Sequence, residues 1–178
     1  LRDKAHIPQE VVFETKPKIA AGLIRLTMAL GIVVLDWITA DEEYGRNGEF
    51  LDELETLGHR YVVEVPVNTT VWTEDPAGCV PPSGGRGRVP TLPSRASVRS
   101  VAAVVSELPS ESWQTVQIRQ GAKGPLVFEF AAVRVWAVRH RKPGPPIWVL
   151  VRRSLEETPE VKYYVSNGEA ETPLGVLA

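Results

Sequence analysis

One cysteine, Cys79, and one methionine, Met28, are all the sulfur in this 178-residue chain. A lone thiol cannot close an internal disulfide, and Cys79 has no zinc partners at ligand spacing. A disulfide-stapled scaffold is therefore excluded, and a reducing cytosol fits. His6, His59 and His140 are scattered along the sequence. No Ser or Cys sits in a nucleophile-elbow pattern, so a hydrolase triad has little support. Long apolar runs are missing too: no segment reaches the length of a membrane span, and the first residues lack a signal-peptide layout. No Gly-Lys-Ser/Thr follows the glycines at the spacing of a Walker loop. The chain begins at Leu1 with its one methionine at position 28, so an internal piece of a longer protein is expected.

What is present is ordinary in amount and uneven in placement. The apolar share of 43% suits one or two globular domains. Residues 1–66 hold seven Lys/Arg against twelve Asp/Glu. Between Arg86 and Arg153 the ratio reverses to twelve against three. Such an excess is either a solvated face or a groove that follows a phosphate backbone by releasing counterions. Composition leaves both open.

The first 66 residues alternate. Thr15 can cap a helix with Pro17 in its first turn, and Ile19, Leu23, Leu26 and Leu30 then recur at helical spacing up to Gly31. This helix is expected to pack in the core. Ile32 to Ile38, interrupted only by Asp36, predicts a buried strand that ends at Thr39-Ala40 and delivers Asp41. Phe50, Leu51, Leu54 and Leu57 with Gly58 predict a second helix, and Tyr61–Val65 a further strand. The result is an αβαβ unit on a largely parallel sheet.

In open α/β sheets reactive groups gather at the carboxyl ends of strands. Asp41 is expected there, on a central strand beside an open cleft. The commoner role for an acid before a turn is to cap the next helix, so position alone leaves Asp41 with two readings. Glu42 and Glu43 point in different directions from it and do not suggest a paired-carboxylate site.

From Thr73 to Pro93 periodicity gives way to Gly and Pro around Gly84-Gly85-Arg86-Gly87-Arg88, which predicts a loop. Ser97 opens a predicted helix through Leu108. Trp113–Gln120 and Leu126–Arg141 predict strands joined by a hairpin at Gly121-Ala122-Lys123-Gly124-Pro125. Pro143-Gly144-Pro145-Pro146 is expected to break the chain before strands at Ile147–Val151 and Val161–Ser166. Thr172-Pro173 starts a last helix. The expected divisions are 1–66 as core, 67–168 as a basic β-rich insertion with a loop over 73–94, and 169–178 as the beginning of a core helix.

Several of these pieces fall in an order that resembles a known family. Phe13-Glu14-Thr15-Lys16-Pro17, Thr39-Ala40-Asp41 with Tyr44-Gly45, and the Gly58–Val65 strand with Pro66 come first. Gly85-Arg86-Gly87-Arg88 with Pro90-Thr91, Trp113 and Gly121–Pro125 follow. Trp148–Arg153 and Tyr163-Tyr164-Val165-Ser166-Asn167 with Thr172-Pro173-Leu174 complete the set. Collinear over nearly the whole chain, they resemble the middle of the DDE transposases of bacterial insertion sequences. The resemblance implies a ribonuclease-H-like core, partial here, carrying a β-rich α+β insertion between the second and third acids. It implies Asp41 as the second catalytic aspartate and a metal ligand. The first aspartate would precede Leu1, and the third acid, a glutamate, would follow Ala178. Mg2+ or Mn2+ is implied as the cofactor of the full-length protein, with no tight binding to this chain alone.

The implied partner is double-stranded DNA, with room for a homodimer of the full-length protein, no membrane, and a cytoplasmic, nucleoid-associated location. Arg86, Arg88, Arg95 and Lys123 are the expected DNA contacts, followed by Arg134 and Arg139. Two further classes stay open: a non-catalytic remnant that binds DNA through the basic insertion, and a scaffold without DNA contact.

Overall fold

The computed structural model describes residues 4, 6, 8, 11–31, 33–76, 97–122 and 124–178. Helix α1 spans Lys16–Ala29 and is followed by β1 (Trp37–Ala40), α2 (Glu42–Gly45), α3 (Gly48–Thr56) and β2 (Arg60–Val65). Then come β3 (Thr70–Trp72), β4 (Val98–Ser100) and α4 (Val101–Val105). The long strands β5 (Gln114–Gly121), β6 (Gly124–Arg139) and β7 (Lys142–Arg153) precede β8 (Val161–Ser166) and α5 (Leu174–Leu177).

The described strands form one sheet in the order β1-β2-β8-β7-β6-β3-β4, with β5 also on β6. β1 and β2 pair in parallel, as an αβ connection through α2 and α3 requires, and the remaining pairs are antiparallel. This is a mixed α/β fold of the ribonuclease-H-like kind, whose sheet as a whole is mostly antiparallel. The hydrogen-bonded path crosses position 66 without interruption, because β8 lies directly against β2.

Alternation along the strands separates two faces. Tyr61, Val63, Val65, Val149, Val151 and Val165 pack with Phe50, Leu51 and Leu54 of α3 and Val101 of α4. The opposite face carries Trp37, Val62, Phe128, Phe130, Leu150 and Tyr164, and among the described elements α5 alone packs upon it.

Four expectations are corrected. The strand that delivers Asp41 begins at Trp37, and Val33 and Val34 before it are exposed. The α1 face of Ile19, Leu23, Leu26 and Leu30 does not enter the core; these residues are 46%, 58%, 56% and 60% exposed. Its opposite, smaller face, with Pro17 and Ala21 buried, meets α3 instead. Finally, Pro143-Gly144-Pro145-Pro146 lies within β7. There β7 bonds only β6, since β8 joins it from Trp148 onward. A proline without an N–H is tolerated on an unpaired strand side. The helix expected from Ser97 also starts later, at Val101, because 98–100 pair with β3 and Ser100 caps α4 through its hydroxyl.

Candidate active site

Asp41 follows the last residue of β1 directly and is exposed. The expected central position is corrected: β1 is the edge strand of the described sheet, paired with β2 alone. The carboxylate also performs the capping role. Its Oδ1 accepts a hydrogen bond from the Glu43 N–H at 3.0 Å at the start of α2. One capping bond leaves the other oxygen of a carboxylate available.

The chain is held close behind Asp41 by Gly45. A Cβ at that position would stand 1.9 Å from the Glu64 carbonyl oxygen of β2, so only glycine fits. Tyr44 packs on Phe50 with ring centroids 5.4 Å apart. Lys16 of α1 reaches Glu43 at 2.9 Å, a bond that raises the lysine pKa. Glu43 is thereby engaged, while Glu42 is exposed.

Thr39 and Ala40 line a groove of about 290 Å3 on the sheet face that bears α5. Trp37, Phe128, Phe130, Leu150 and Leu177 make it mainly apolar, and Arg152 and Tyr164 join Thr39 as its polar members. Because β1, β2 and β7 run one way and β6 and β8 the other, one end of the sheet collects particular residues. These are Asp41, Glu64, the start of β8 and the end of β7. Glu64 accepts from Lys162 at 3.1 and 3.0 Å, and this bond raises the lysine pKa. Arg152 lies over Phe128 at 4.4 Å and reaches Glu160 at 3.4 Å. Burial raises the pKa of Tyr164, and the neighbouring Arg152 opposes that shift. Sequence reasoning did not single out this charged rim. Its one local signal is Glu64, an acid inside the otherwise apolar run Tyr61–Val65.

Arg86, Arg88, Arg95 and Lys123 lie outside the described residues. Arg134 and Arg139 are both committed within the chain. Arg134 donates to the Gly168 carbonyl at 2.8 Å and stacks over Trp148 at 5.3 Å. Burial lowers its pKa, and Glu171 opposes that. Arg139, only 13% exposed in its side chain, contacts Asp52 at 3.2 Å and Glu55 at 3.5 Å and donates to the Tyr61 hydroxyl at 2.9 Å. Arg139 joins the insertion to the core, whereas Arg134 ties together two parts of the insertion itself.

A pair of divalent metals does not fit the described residues by themselves. No group of three or more His, Cys, Asp or Glu side chains among them could hold an ion. Magnesium needs several hard oxygens in near-octahedral array, and a single free carboxylate cannot supply them.

Residues 1–125 match a family described as DDE superfamily endonuclease. No curated protein matches the chain.

Proposed function

The chain belongs to the DDE superfamily endonucleases, and on that premise we propose that it is the central part of a transposase catalytic domain. Membership implies a nucleic-acid substrate. In the full-length protein the activity is cleavage and transfer of DNA strands with Mg2+ or Mn2+, in the cytoplasm and on the nucleoid. The observation that supports this reading is the placement of Asp41. It is an exposed carboxylate at the carboxyl end of a sheet strand, inside the matched residues and beside a groove. Asp41 supplies one oxygen ligand, and carboxylates elsewhere in the protein complete the set. Two metals bound that way would clamp the attacking and leaving oxygens of a phosphodiester.

DNA binding rests on the basic insertion, with Arg86, Arg88, Arg95 and Lys123 as its contacts. Arg134 and Arg139 contribute less, because their guanidinium groups already have partners. Nicking of supercoiled plasmid tests the catalytic reading. The 178-residue chain should be inactive with Mg2+ or Mn2+. The full-length protein should cleave, and Asp41→Asn should abolish cleavage while DNA binding persists. Metal-dependent nicking by the isolated chain that disappears in Asp41→Ala would overturn the division of the acids between segments. Full cleavage by the Asp41→Asn protein would remove Asp41 from the site.

A further inference from the structure

The β6–β7 connection consists of two residues, His140 and Arg141, with φ of 50° and 63°. Two consecutive positive φ values are the mark of a type I′ hairpin, where Asn-Gly is the preferred pair. Side chains at these positions crowd the following carbonyl, so Arg141 in particular sits there against local preference. Backbone strain of this kind points toward function when other observations agree.

Two do. First, the turn is clamped: Asp52 of α3 meets His140 Nε2 at 2.8 Å and Arg139 Nε at 3.2 Å. Second, its charge is left over. Arg25, Arg60, Arg99, Arg152, Arg153 and Lys162 each face a carboxylate. Arg141 and Lys142 are exposed and have no side-chain partner among the described residues. The tip thus presents two unneutralised cations on a rigid ribbon. The ribbon runs on past the start of β2, since Trp148 stands level with Val62 and β7 begins at Lys142, whereas Asp41 follows the far end of β1; its turn packs on α3 at Gly48.

We propose that this hairpin tip is a second DNA contact, in which Arg141 and Lys142 hold the phosphate backbone of duplex DNA away from the cleavage site. The proposal rests on the DNA-binding reading above. Rigid placement favours it, because a preordered contact loses less entropy on binding than a loop that must be ordered. Its position suits a contact that fixes the DNA without sharing in the chemistry.

The test is the salt dependence of binding between the 178-residue chain and a fluorescent duplex of mixed sequence. The slope of log affinity against log salt changes by about 0.9 for each phosphate neutralised. Arg141→Ala/Lys142→Ala should flatten the slope by up to two such steps. Arg141→Gly gives a second readout of opposite sign. Glycine relieves the positive φ, so Tm should rise or hold while affinity falls. A purely structural role for Arg141 would not separate the two in that direction. If the unmodified chain binds no duplex at low salt, the hairpin and the DNA-binding reading fall together. If it binds and both variants keep the original slope, the hairpin assignment alone is wrong and the contacts lie elsewhere.

Discussion

β1 and β6 belong to the same sheet, yet among the described strands β1 bonds β2 alone while β6 bonds β3, β5 and β7. Around β6 and β7 the inward positions Ala131, Val135, Ala137, Ile147, Val149 and Val151 are almost wholly buried. Beside β1, Val33 and Val34 are exposed, and α1 turns four large apolar side chains toward solvent. The segment that reads as an insertion is therefore the mechanical centre of the chain. The flank that carries the candidate catalytic acid is the part least covered by it. Rigidity at Asp41 must come through α2 and β2, which makes those contacts the place to test the contrast.

The largest effect is expected where the β1 flank is tight. Gly45→Ala would drive a methyl into the Glu64 carbonyl at 1.9 Å, and that atom is backbone and cannot rotate away. Overpacking of this kind costs about 3 kcal/mol at the upper end of its usual range. Urea denaturation should show that loss. A cost below about 1 kcal/mol would mean that α2 shifts freely, and the flank would be looser still.

Next comes the seam between the two regions. Arg139→Ala leaves Glu55 and the buried Tyr61 hydroxyl without their cation. Stranding partly buried charged groups should cost about 2–3 kcal/mol. The same network predicts a pH effect. Burial raises the Tyr61 pKa far above the ordinary tyrosine value, with Arg139 opposing and Glu55 adding to the rise. The folded state therefore keeps its proton where the unfolded chain loses it. The stability held by neutral Tyr61 is complete below about pH 10 and falls above it by about 1.4 kcal/mol per pH unit. In Tyr61→Phe that alkaline loss should be smaller.

A smaller effect is expected at Asn167, whose side chain continues the β2–β8 pairing beyond the strand. It accepts from the Tyr61 N–H and donates to the His59 carbonyl, each at 2.8 Å. Asn167→Ala should cost about 1–2 kcal/mol, the penalty of leaving part-buried backbone groups unmet. Thermal denaturation should place it between Arg139→Ala and a surface change.

Much of this architecture was legible along the chain, and what was hidden shares one cause. Phe50, Leu51 and Leu54 with Gly58 marked α3, and Tyr61–Val65 marked β2, because periodicity is local. Asp41 was legible for the same reason, as an acid where an apolar run stops. The roles of Arg134 and Arg139 were not, since their partners lie 34 and 78–87 positions away in sequence. Pro143–Pro146 suggested a break because proline removes a donor. Only the sheet order shows that no strand needs that donor there. The side of β1 that would be paired is likewise a property of topology, which a single run of valines does not encode.

The smallest effect should come from α1, and it separates exposure from periodicity as a guide to the core. Leu23 and Leu26 carry the helical apolar pattern but are 58% and 56% exposed, whereas Leu54 of α3 is fully buried. Glutamine has nearly the helix propensity of leucine, so Leu23→Gln and Leu26→Gln change surface chemistry and little else. Exposed positions of this kind alter stability by no more than about 0.5 kcal/mol, whereas Leu54→Ala should cost about 2–5 kcal/mol. Urea denaturation of the Leu23→Gln/Leu26→Gln protein beside Leu54→Ala makes the comparison directly. A double-variant loss above 1 kcal/mol would show that this face is covered in solution, and sedimentation of the unmodified chain would then reveal an assembly. Equal stability of the double variant and the unmodified chain would leave α1 joined to the core through its smaller face, Pro17, Ala20, Ala21 and Ile24, and would confirm that the acid's flank is held from β2.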